Sequence, residues 1–303
     1  MSNSGRGKRV LVLGASGMLG SAAIRSFSSE FKVFAGVRSD EELSAFEIDA
    51  KRLRIDEDRL LTGFDARLPE SVINILNIAQ PDIVLNAVGI ISQQPESASA
   101  RLAIEVNSVW PHALAQICKE RGIRLIHVST DCVFSGNRGN YTEEDIPDAT
   151  GLYGKSKMLG EVDSLDNVLT IRTSIVGWQF GPQLSLAGWF AAHRNDQISG
   201  YTHAIFSGLT TSALCGAIRD YVFPREDLHG LYQISSAPIS KFQLLTLLAE
   251  KMNWDVTIVP SDLTKINKSL DSTRFQTIAS WSPPSWDHML EALAAEYSDY
   301  YIP

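Results

Sequence analysis

A tyrosine and a lysine four positions apart are the residues of this sequence whose types and spacing most directly suggest chemistry. Tyr153 and Lys157 lie in the run Y-G-K-S-K, and on a helix they would share one face. A free phenol, with a pKa of about 10, transfers protons slowly at neutral pH, and a nearby ammonium lowers that pKa. Lys157 can also donate a hydrogen bond to a ribose hydroxyl. The pair predicts a proton-transfer site, although a surface tyrosine packed on a lysine stem would show the same spacing.

A glycine-rich turn near the start predicts a site for a dinucleotide. The run G-A-S-G-M-L-G at 14–20 follows an apolar stretch directly and opens a helical pattern. Gly14 permits a tight turn, Gly17 lets the backbone approach a pyrophosphate, and Gly20 lets the helix pack closely on the strand. The free N–H groups of the helix start then face the phosphates. The predicted cofactor-binding residues of this turn are Gly14, Ser16, Gly17, Met18, Leu19 and Gly20; a tight turn without a ligand is the alternative.

The end of the second predicted strand indicates which dinucleotide is bound. An acidic residue there usually holds the 2′-hydroxyl of the ribose, whereas an arginine accommodates a 2′-phosphate. The sequence reads G-V-R-S-D-E at 36–41, with Arg38 at the expected position and Ser39 as a second donor. The pattern favours NADPH over NADH. Asp40 keeps NADH open, because a shift of two residues would reverse the preference.

An alternation of strands and helices must position these residues. Apolar, β-rich runs predict strands at Arg9–Leu13, Phe31–Val37, Leu60–Phe64, Asp82–Val88, Ile123–Ser129 and Val168–Arg172. Helical spacing predicts helices at Gly17–Phe27, from Pro69 onward, at Ala98–Cys118 with a kink or break at Pro111, and at Tyr153–Glu161. Such alternation implies right-handed crossovers and a parallel sheet covered on both faces. The predicted fold is α/β, a Rossmann-type doubly wound parallel sheet, with ligands at the carboxyl ends of its strands.

The alternation weakens after about residue 177, which predicts a second, smaller region. We expect residues 1–177 to form an NAD(P)-binding domain and residues 178–303 to form a smaller C-terminal α/β substrate lobe. Parts of 205–235 are expected to return to the first domain. Within the lobe, a capping box at Ser240 and Gln243 predicts the start of one helix. A stripe of Trp286, Met289, Leu290 and Leu293 predicts another, with these side chains in the core.

Composition and charge exclude several classes of protein. Hydrophobic residues make up 44% of the sequence and charged residues 20%, which is typical of a globular chain rather than a disordered one. A formal net charge of −8 and the lack of a basic run argue against a nucleic-acid partner. The three cysteines lie far apart and no histidines are paired at metal-ligand spacing, so we expect no metal site and a reduced, cytoplasmic protein. No stretch approaches the roughly 20 apolar residues of a membrane helix, so no membrane partner is expected.

Three motifs together resemble the extended short-chain dehydrogenase/reductase superfamily. They are G-A-S-G-M-L-G at 14–20, S-T-D-C-V-F-S-G at 129–136 and Y-G-K-S-K at 153–157. Within that superfamily, residues 8–178 most resemble the dTDP-4-dehydrorhamnose reductase family. Three further segments agree with that family: V-N at 106–107 with P and L-A at 111 and 114–115, Y-x-E at 141–143, and I-R-T-S at 171–174.

The resemblance implies roles for individual residues. Tyr153 would donate a proton to a carbonyl oxygen as hydride arrives from the nicotinamide, and Lys157 would lower the tyrosine pKa and bind the ribose. Thr130 would hydrogen-bond the same oxygen, and such preplaced donors stabilise the alkoxide character of the transition state. Further cofactor contacts are implied at Asp65, Asn86, Ala87, Val88, Gly89 and Asn107. The implied substrate-binding residues are Thr130, Asp131 and Cys132.

Departures from the family pattern fall where substrate recognition is expected. Cys132 replaces the tyrosine of T-D-Y-V-F, I-I-S-Q-Q at 90–94 replaces an acidic stretch, and Ile175 replaces a tryptophan, although Trp178 lies nearby. Related 4,6-dehydratases carry a glutamate after the Thr-Asp pair, and a thiol with a free pKa of about 8.5 is a poor substitute base. Dehydration is therefore not expected. Cys132 stays open as an epimerising acid/base or, more simply, as a small buried apolar residue.

A few residues of the second region are candidates on chemical grounds alone. Arg194, Lys241 and Arg274 could bind a diphosphate. His203 could touch a sugar or phosphate, but an ordinary loop histidine is the preferred interpretation.

The sequence thus predicts NADPH-dependent reduction of a nucleotide-linked 4-keto-6-deoxy sugar, in the synthesis of a polysaccharide precursor. NADH is the alternative cofactor, and a homodimer is left open. A nucleotide-sugar epimerase or epimerase-reductase is the alternative within the superfamily. A third hypothesis comes from a different class, a non-catalytic NADP-binding regulator like the regulatory subunit of methionine adenosyltransferase, because a fold does not fix a function.

Overall fold

The structure, a computed structural model, describes residues 7–43, 53, 55–91, 99–180 and 184–300. By backbone contacts the chain divides into two compact units. The first comprises Met1–Ser129, Thr150–Ile171 and Cys215–Leu231, and the second comprises Thr130–Ala149, Arg172–Leu214 and Tyr232–Pro303. The chain therefore passes between the units several times, whereas the sequence suggested one main boundary at 177 with a returning segment.

The described residues include twelve strands and ten α-helices. The strands are β1 Arg9–Leu13, β2 Lys32–Gly36, β3 Leu60–Leu61, β4 Ile83–Asn86, β5 Arg124–Val128, β6 Val168–Arg172, β7 Ile175–Val176, β8 Gln197–Phe206, β9 Leu209–Thr210, β10 Gly230–Gln233, β11 Ile239–Ser240 and β12 Thr257–Asn267. The helices are α1 Met18–Phe27, α2 Val72–Ala79, α3 Ala100–Ile104, α4 Trp110–Glu120, α5 Leu152–Leu159, α6 Leu186–Ala192, α7 Thr211–Ala217, α8 Lys241–Met252, α9 Thr273–Ala279 and α10 Trp286–Tyr300.

The main sheet confirms the predicted doubly wound fold. Its strand order is β10-β6-β5-β4-β1-β2-β3, and every pair from β6 to β3 is parallel. Val10–Leu13 of β1 have no exposed surface, and all four residues of β4 are buried. Strands covered on both faces need such continuous apolar runs, which is why the sequence showed runs rather than alternation. The strand order reverses between β1 and β4, and at such a switch point the loops that follow the two strands leave a crevice at their carboxyl ends.

The third strand is shorter than predicted. Leu60 and Leu61 pair with Ala35 and Gly36 of β2, but the expected continuation to Phe64 is absent among these described residues. Gly63 has φ +93°, a left-handed conformation that turns the chain out of the strand. Phe64 still reaches the core, where its ring stacks on Trp110 at a centroid distance of 6.0 Å.

The helix predicted at 98–118 is interrupted, as Pro111 suggested. The chain forms α3, then a π-helical segment at Glu105–Val109, then α4. Pro111 lies in the first turn of α4. The wider π turn accommodates a residue that has no N–H group for the regular ladder. Asn107 lies within this π segment, and π segments occur frequently at functional sites.

A returning segment completes the first unit. Phe223 packs on Phe27 of α1, with ring centroids 4.8 Å apart, and on Phe31 at 5.2 Å. Arg124 of β5 donates to the backbone oxygens of Val222 and Arg225 at 2.8 and 2.7 Å. These contacts hold Cys215–Leu231 in the first unit.

The second unit has two small sheets of its own. β8 pairs antiparallel with β11 and parallel with β12, and β7 pairs with β9. The predicted capping box is confirmed: Ser240 Oγ accepts from the Gln243 N–H at 3.1 Å at the start of α8. In α10 the predicted stripe is also confirmed, because Met289, Leu290 and Leu293 are buried.

A search of the described residues for a helix that is long and apolar enough to cross a membrane finds none.

Candidate active site

The glycine turn after β1 has the geometry that the sequence predicted. Gly14 has φ +79°, and the N–H groups of Gly14 and Ala15 both donate to the Gly36 oxygen at the end of β2, at 3.1 and 3.2 Å. A Cβ at Gly20 would lie 2.1 Å from the Gly14 oxygen, so only glycine allows this helix–strand approach. Gly17 is the N-cap of α1 and provides no side-chain cap. The first N–H groups of α1, at Met18 and Leu19, therefore remain available to an anion.

The end of β2 holds a residue that the sequence analysis missed. Beside the predicted Arg38 and Ser39, Glu42 accepts a hydrogen bond from the Ser16 hydroxyl and another from the Arg38 N–H, the latter at 3.2 Å. The guanidinium Nε of Arg38 lies 3.9 Å from the Glu42 carboxylate. We call Ser16 and Arg38, with the Glu42 carboxylate they hold, the Ser16–Arg38 cradle. Ser39 borders it, because its Oγ accepts from the Glu42 N–H at 3.2 Å. The spacing of Arg38 and Glu42 was visible in the sequence, but the contact with Ser16 depends on the fold.

Asp65, one of the implied cofactor contacts, is engaged in an ion pair with Arg67. Its carboxylate accepts from Arg67 Nε at 2.9 Å and from the Arg67 N–H at 2.9 Å. The Arg67 guanidinium, by its hydrogen bonds, lowers the pKa of Asp65, although partial burial works against the shift. Asp65 is thus a carboxylate at neutral pH, located after β3 as predicted.

The turn after β4 packs directly on the glycine turn. A Cβ at Gly14 would lie 3.1 Å from the Ala87 carbonyl group and 3.2 Å from the Val88 nitrogen. The side chain of Asn86 is used inside the unit rather than at a surface. Its Oδ1 accepts from Trp110 Nε1 at 3.2 Å, and its Nδ2 lies 3.1 Å from Nδ1 of the buried His127. We therefore interpret Asn86 as a positioning residue that fixes the turn carrying Ala87, Val88 and Gly89.

His127 was not singled out by the sequence. Burial, with the nearby Lys157 charge, lowers the pKa of His127 well below its ordinary value. The ring is therefore neutral. If Asn86 Nδ2 donates to Nδ1, the proton of the ring lies on Nε2. Among the described residues Nε2 has no hydrogen-bond partner.

A buried network around Asn107 ties the β4 turn to α5. Asn107 Oδ1 accepts from the Ile90 N–H at 2.9 Å, and its Nδ2 donates to the Ile90 oxygen at 2.9 Å and to Ser156 Oγ at 3.1 Å. Ser108 Oγ donates to the Ser156 oxygen at 2.7 Å. A Cβ at Gly89 would lie 3.3 Å from Asn107 Oδ1 and 3.9 Å from Lys157 Nζ. The Asn107 network, formed by Ile90, Asn107, Ser108 and Ser156, thus borders the predicted catalytic lysine.

Tyr153 and Lys157 share helix α5, as predicted. Tyr153 is half-buried, while Lys157 is buried and its Nζ donates to the Val128 oxygen at 2.7 Å, at the end of β5. Burial lowers the pKa of Lys157 to about 8, and the charge of Glu161 opposes that shift. Glu161 accepts from Ser129 Oγ at 2.7 Å. Lys157 is therefore held at the end of β5, and its pKa of about 8 lets it gain or lose a proton near neutral pH.

In the second unit, Thr130 caps a short 3₁₀ turn at Asp131–Val133. Its Oγ1 accepts from the Cys132 N–H at 3.1 Å and donates to Asp131 Oδ1 at 3.2 Å. Burial raises the pKa of Asp131, while the charges of Lys268 and Lys241 oppose that shift. Burial and the Asp131 charge raise the pKa of Cys132 to about 11, so its sulfur is a neutral thiol at neutral pH.

The other candidates of the second unit differ in their surroundings. Lys241 Nζ lies 5.1 Å from the centroid of the Phe206 ring, and burial lowers the pKa of Lys241 while the Asp131 charge opposes that. Arg274 stacks on Tyr232, 4.5 Å from its centroid. Arg194 and His203 are exposed. The structure therefore groups Lys241 with Asp131 and Cys132, and adds Lys268, which the sequence analysis had not considered.

Two sets of predicted residues are thus assembled, each inside one unit. The first unit joins the glycine turn to Arg38, Ser39 and the β4 turn, and joins that turn through Asn107 to Lys157. The second unit joins Thr130, Asp131 and Cys132 to two lysines. A search of the described residues for a group of three or more metal-ligating side chains finds none.

A parallel sheet with a glycine turn after β1 and a tyrosine–lysine pair on the helix after β5 defines the extended short-chain dehydrogenase/reductase class. Within this class, the chain belongs to the RmlD substrate binding domain family, whose sequence profile matches residues 8–184.

Known proteins similar to this chain include two curated relatives and one crystal structure. "Probable low-salt glycan biosynthesis reductase Agl14" of Haloferax volcanii is 26% identical over 95% of this chain and 98% of its own length. Methionine adenosyltransferase 2 subunit beta of Rattus norvegicus is 31% identical, but the match spans 54% of this chain and 44% of that protein. The crystal structure of dTDP-4-dehydrorhamnose reductase from Bacillus anthracis in complex with NADP has a TM-score of 0.77 at 20% identity, covering 95% of this chain and 98% of that one. At this identity, the last likeness concerns the fold.

Proposed function

We propose that the protein is an NADPH-dependent reductase of a nucleotide-linked 4-keto-6-deoxy sugar, acting in the synthesis of a polysaccharide or glycan precursor. The observation that carries the proposal is the buried Lys157 on α5, one turn after Tyr153, beside the Gly89 turn and the Asn107 network. The family assignment and the reductase names of two similar proteins support it.

The residues present fit a dinucleotide. A tight approach at Gly14, the open start of α1 and the Gly89 turn beside Lys157 leave backbone and small residues where a phosphate and a ribose would lie. The N–H groups of Met18 and Leu19 would hold the pyrophosphate beside Gly17, and Lys157 would donate to the nicotinamide ribose. When bound, NADPH supplies the hydride.

The chain's own residues supply the proton and the polarisation. Tyr153 donates its phenolic proton to the carbonyl oxygen as that oxygen gains negative charge. Lys157, protonated below its lowered pKa, stabilises the resulting phenolate. Thr130 donates a hydrogen bond to the same oxygen, which stabilises the alkoxide character of the transition state.

Dehydration of the sugar is not part of the proposal. A dehydratase needs a base where this chain has Cys132, and the raised pKa of that thiol keeps it protonated at neutral pH. The same argument weakens an epimerase in which Cys132 abstracts a proton. We propose that Cys132 and Asp131 instead contact the sugar, with Lys241 and Lys268 as nearby positive charges for its diphosphate.

A regulatory function is the second candidate. The match to methionine adenosyltransferase 2 subunit beta favours it, although it covers about half of this chain. The complete Thr130, Tyr153 and Lys157 set favours catalysis instead. A reductase turns over by itself, whereas a regulator binds a partner enzyme in fixed stoichiometry without oxidising NADPH.

The test is turnover. The purified full chain is mixed with NADPH and with a panel of 4-keto-6-deoxy sugars linked to dTDP, UDP, GDP or CDP, and absorbance at the nicotinamide band is followed. We expect NADPH oxidation with at least one member. Cofactor binding without turnover of any member would contradict the reductase and favour the regulator.

A further inference from the structure

In the Ser16–Arg38 cradle, the donors already bind an anion of the protein itself, the carboxylate of Glu42. The Glu42 carboxylate receives the Ser16 hydroxyl on one oxygen and the Arg38 N–H, at 3.2 Å, on the other. The Arg38 guanidinium lies 3.9 Å away. A hydroxyl, a backbone N–H and a guanidinium are the donors that usually hold a phosphate.

The position of Glu42 is fixed by the local backbone. Its own N–H donates to Ser39 Oγ at 3.2 Å, and the backbone oxygen of Ser39 accepts from the Leu43 N–H at 2.9 Å. The Glu42 side chain is 28% exposed, whereas the Arg38 side chain is 65% exposed. Asp40, the acidic residue considered from the sequence, instead accepts from Thr62 Oγ1 at 2.8 Å. Glu42 rather than Asp40 is therefore the carboxylate that the cradle holds.

The cradle lies where a dinucleotide's adenosine ribose is expected. In this class of fold the ribose lies at the end of β2, and the glycine turn is attached there through the hydrogen bonds of Gly14 and Ala15 to Gly36. A 2′-phosphate would need the same hydroxyl, N–H and guanidinium that Glu42 occupies. A free 2′-hydroxyl, by contrast, can donate to the Glu42 carboxylate.

We propose that Glu42 is the residue that sets the choice between NADPH and NADH, by occupying the 2′-phosphate position of the Ser16–Arg38 cradle. NADH binds with Glu42 in place and donates a ribose hydroxyl to it. NADPH binds only when the Glu42 side chain has moved out of the cradle, and so with a penalty from charge repulsion that Arg38 partly offsets. Glu42 therefore opposes Arg38 and gives the chain a weaker NADPH preference than Arg38 alone would. This inference rests on the dinucleotide part of the proposed function and not on the sugar.

The experiment measures cofactor binding without any sugar. Fluorescence titrations of the full chain give Kd for NADPH and NADH with the wild type, Glu42→Gln and the control Glu41→Gln, which removes the same charge from an exposed neighbour. We expect Glu42→Gln to raise the ratio of the NADH Kd to the NADPH Kd about tenfold, the size of one charge contact in a half-exposed site. Glu41→Gln should change that ratio less than about twofold, by screened long-range charge alone.

A second readout isolates the phosphate. Calorimetric titration with adenosine 2′,5′-bisphosphate and with 5′-AMP compares ligands that differ only in the 2′-phosphate, and Glu42→Ala repeats the test with a different side chain. Both variants should favour the bisphosphate more than the wild type does.

An unchanged cofactor ratio in Glu42→Gln, or equal weakening of both cofactors, would overturn the inference while leaving the proposed function intact. If neither NADPH nor NADH binds to the wild type, both the inference and the proposed function are overturned.

Discussion

The Ser16–Arg38 cradle and the Asn107 network use different kinds of polar contact to shape the first unit. In the cradle, charged side chains meet at the surface, and Arg38 is mostly exposed. In the network, neutral groups of Asn107, Ser108 and Ser156 are buried and bonded to one another and to Ile90. Buried polar groups are costly to leave unpaired, whereas exposed ion pairs rearrange at little cost. The network can therefore fix one geometry beside Lys157, while the cradle can exchange one anion for another.

Tyr153→Phe should have the largest effect on activity. It tests whether the geometry beside Lys157 serves proton transfer from Tyr153. Removing the phenolic proton donor should lower kcat about a thousandfold, within the range of general acid catalysis. The Kd for NADPH should stay within a factor of about two, because the aromatic ring is kept. Stopped-flow or steady-state absorbance and a binding titration give both numbers. Loss of cofactor binding together with activity would show that Tyr153 acts through structure.

Asn107→Ala should break the network itself. It leaves the N–H and the carbonyl of Ile90 without their partner, which should lower the free energy of unfolding by about 2–4 kcal/mol. The matched control Asn74→Ala, at an exposed position of α2, should change it by less than about 0.5 kcal/mol. Urea unfolding followed by circular dichroism measures both. Equal values for the two variants would contradict the role assigned to the network.

The lowered pKa of Lys157 predicts opposite pH dependences for activity and stability. Burial lowers that pKa from 10.5 to about 8, so the ammonium is present below about pH 8 and kcat/KM should fall as pH rises through it. Between the two values the unfolded state binds more protons, so the contribution of Lys157 to stability should rise with pH. A pH profile of kcat/KM and unfolding curves for the wild type and Lys157→Met check both signs. A kcat/KM that stays flat to pH 9.5 would contradict the first.

Arg67→Ala should have the smallest effect on stability. It tests the comparison at an exposed ion pair, as Asn107→Ala tests it at buried hydrogen bonds. The Arg67 side chain is mostly exposed, and in the variant the Asp65 carboxylate still accepts from the backbone N–H of residue 67, so losing this ion pair should cost little. We expect no measurable change in the midpoint of urea unfolding. A destabilisation comparable to that of Asn107→Ala would show that exposed ion pairs near β3 matter as much as buried hydrogen bonds.

Local patterns allowed much of this first unit to be predicted. The glycine turn, α1 and the Tyr153–Lys157 helix follow from spacing within a few residues, and the structure has them where expected. The third strand was predicted too long: it ends at Leu61, and the left-handed conformation of Gly63, which no hydrophobic pattern reveals, turns the chain away before Phe64.

Residues that meet through the fold were missed. Glu42 lies 26 positions from Ser16, and His127 lies 41 positions from Asn86. Nothing within either local segment indicates its partner, because strand order in the sheet determines which strand ends become neighbours. The same reason explains why the side-chain partners of Asn86, which are Trp110 and His127, were not predicted, whereas its cofactor contact stays a prediction.

The most direct test of the central proposal follows the hydride itself. NADPH deuterated at both C4 positions of the nicotinamide is used to reduce the nucleotide-linked 4-keto sugar that turns over, and the product is analysed by mass spectrometry and NMR. In ordinary water, the proposal predicts one deuterium at C4 of the sugar, transferred from NADPH. In a parallel reaction with unlabelled NADPH in deuterated water, it predicts no deuterium at the sugar carbons. Product that carries solvent deuterium at a ring carbon and none from NADPH would contradict a reductase and indicate an epimerase.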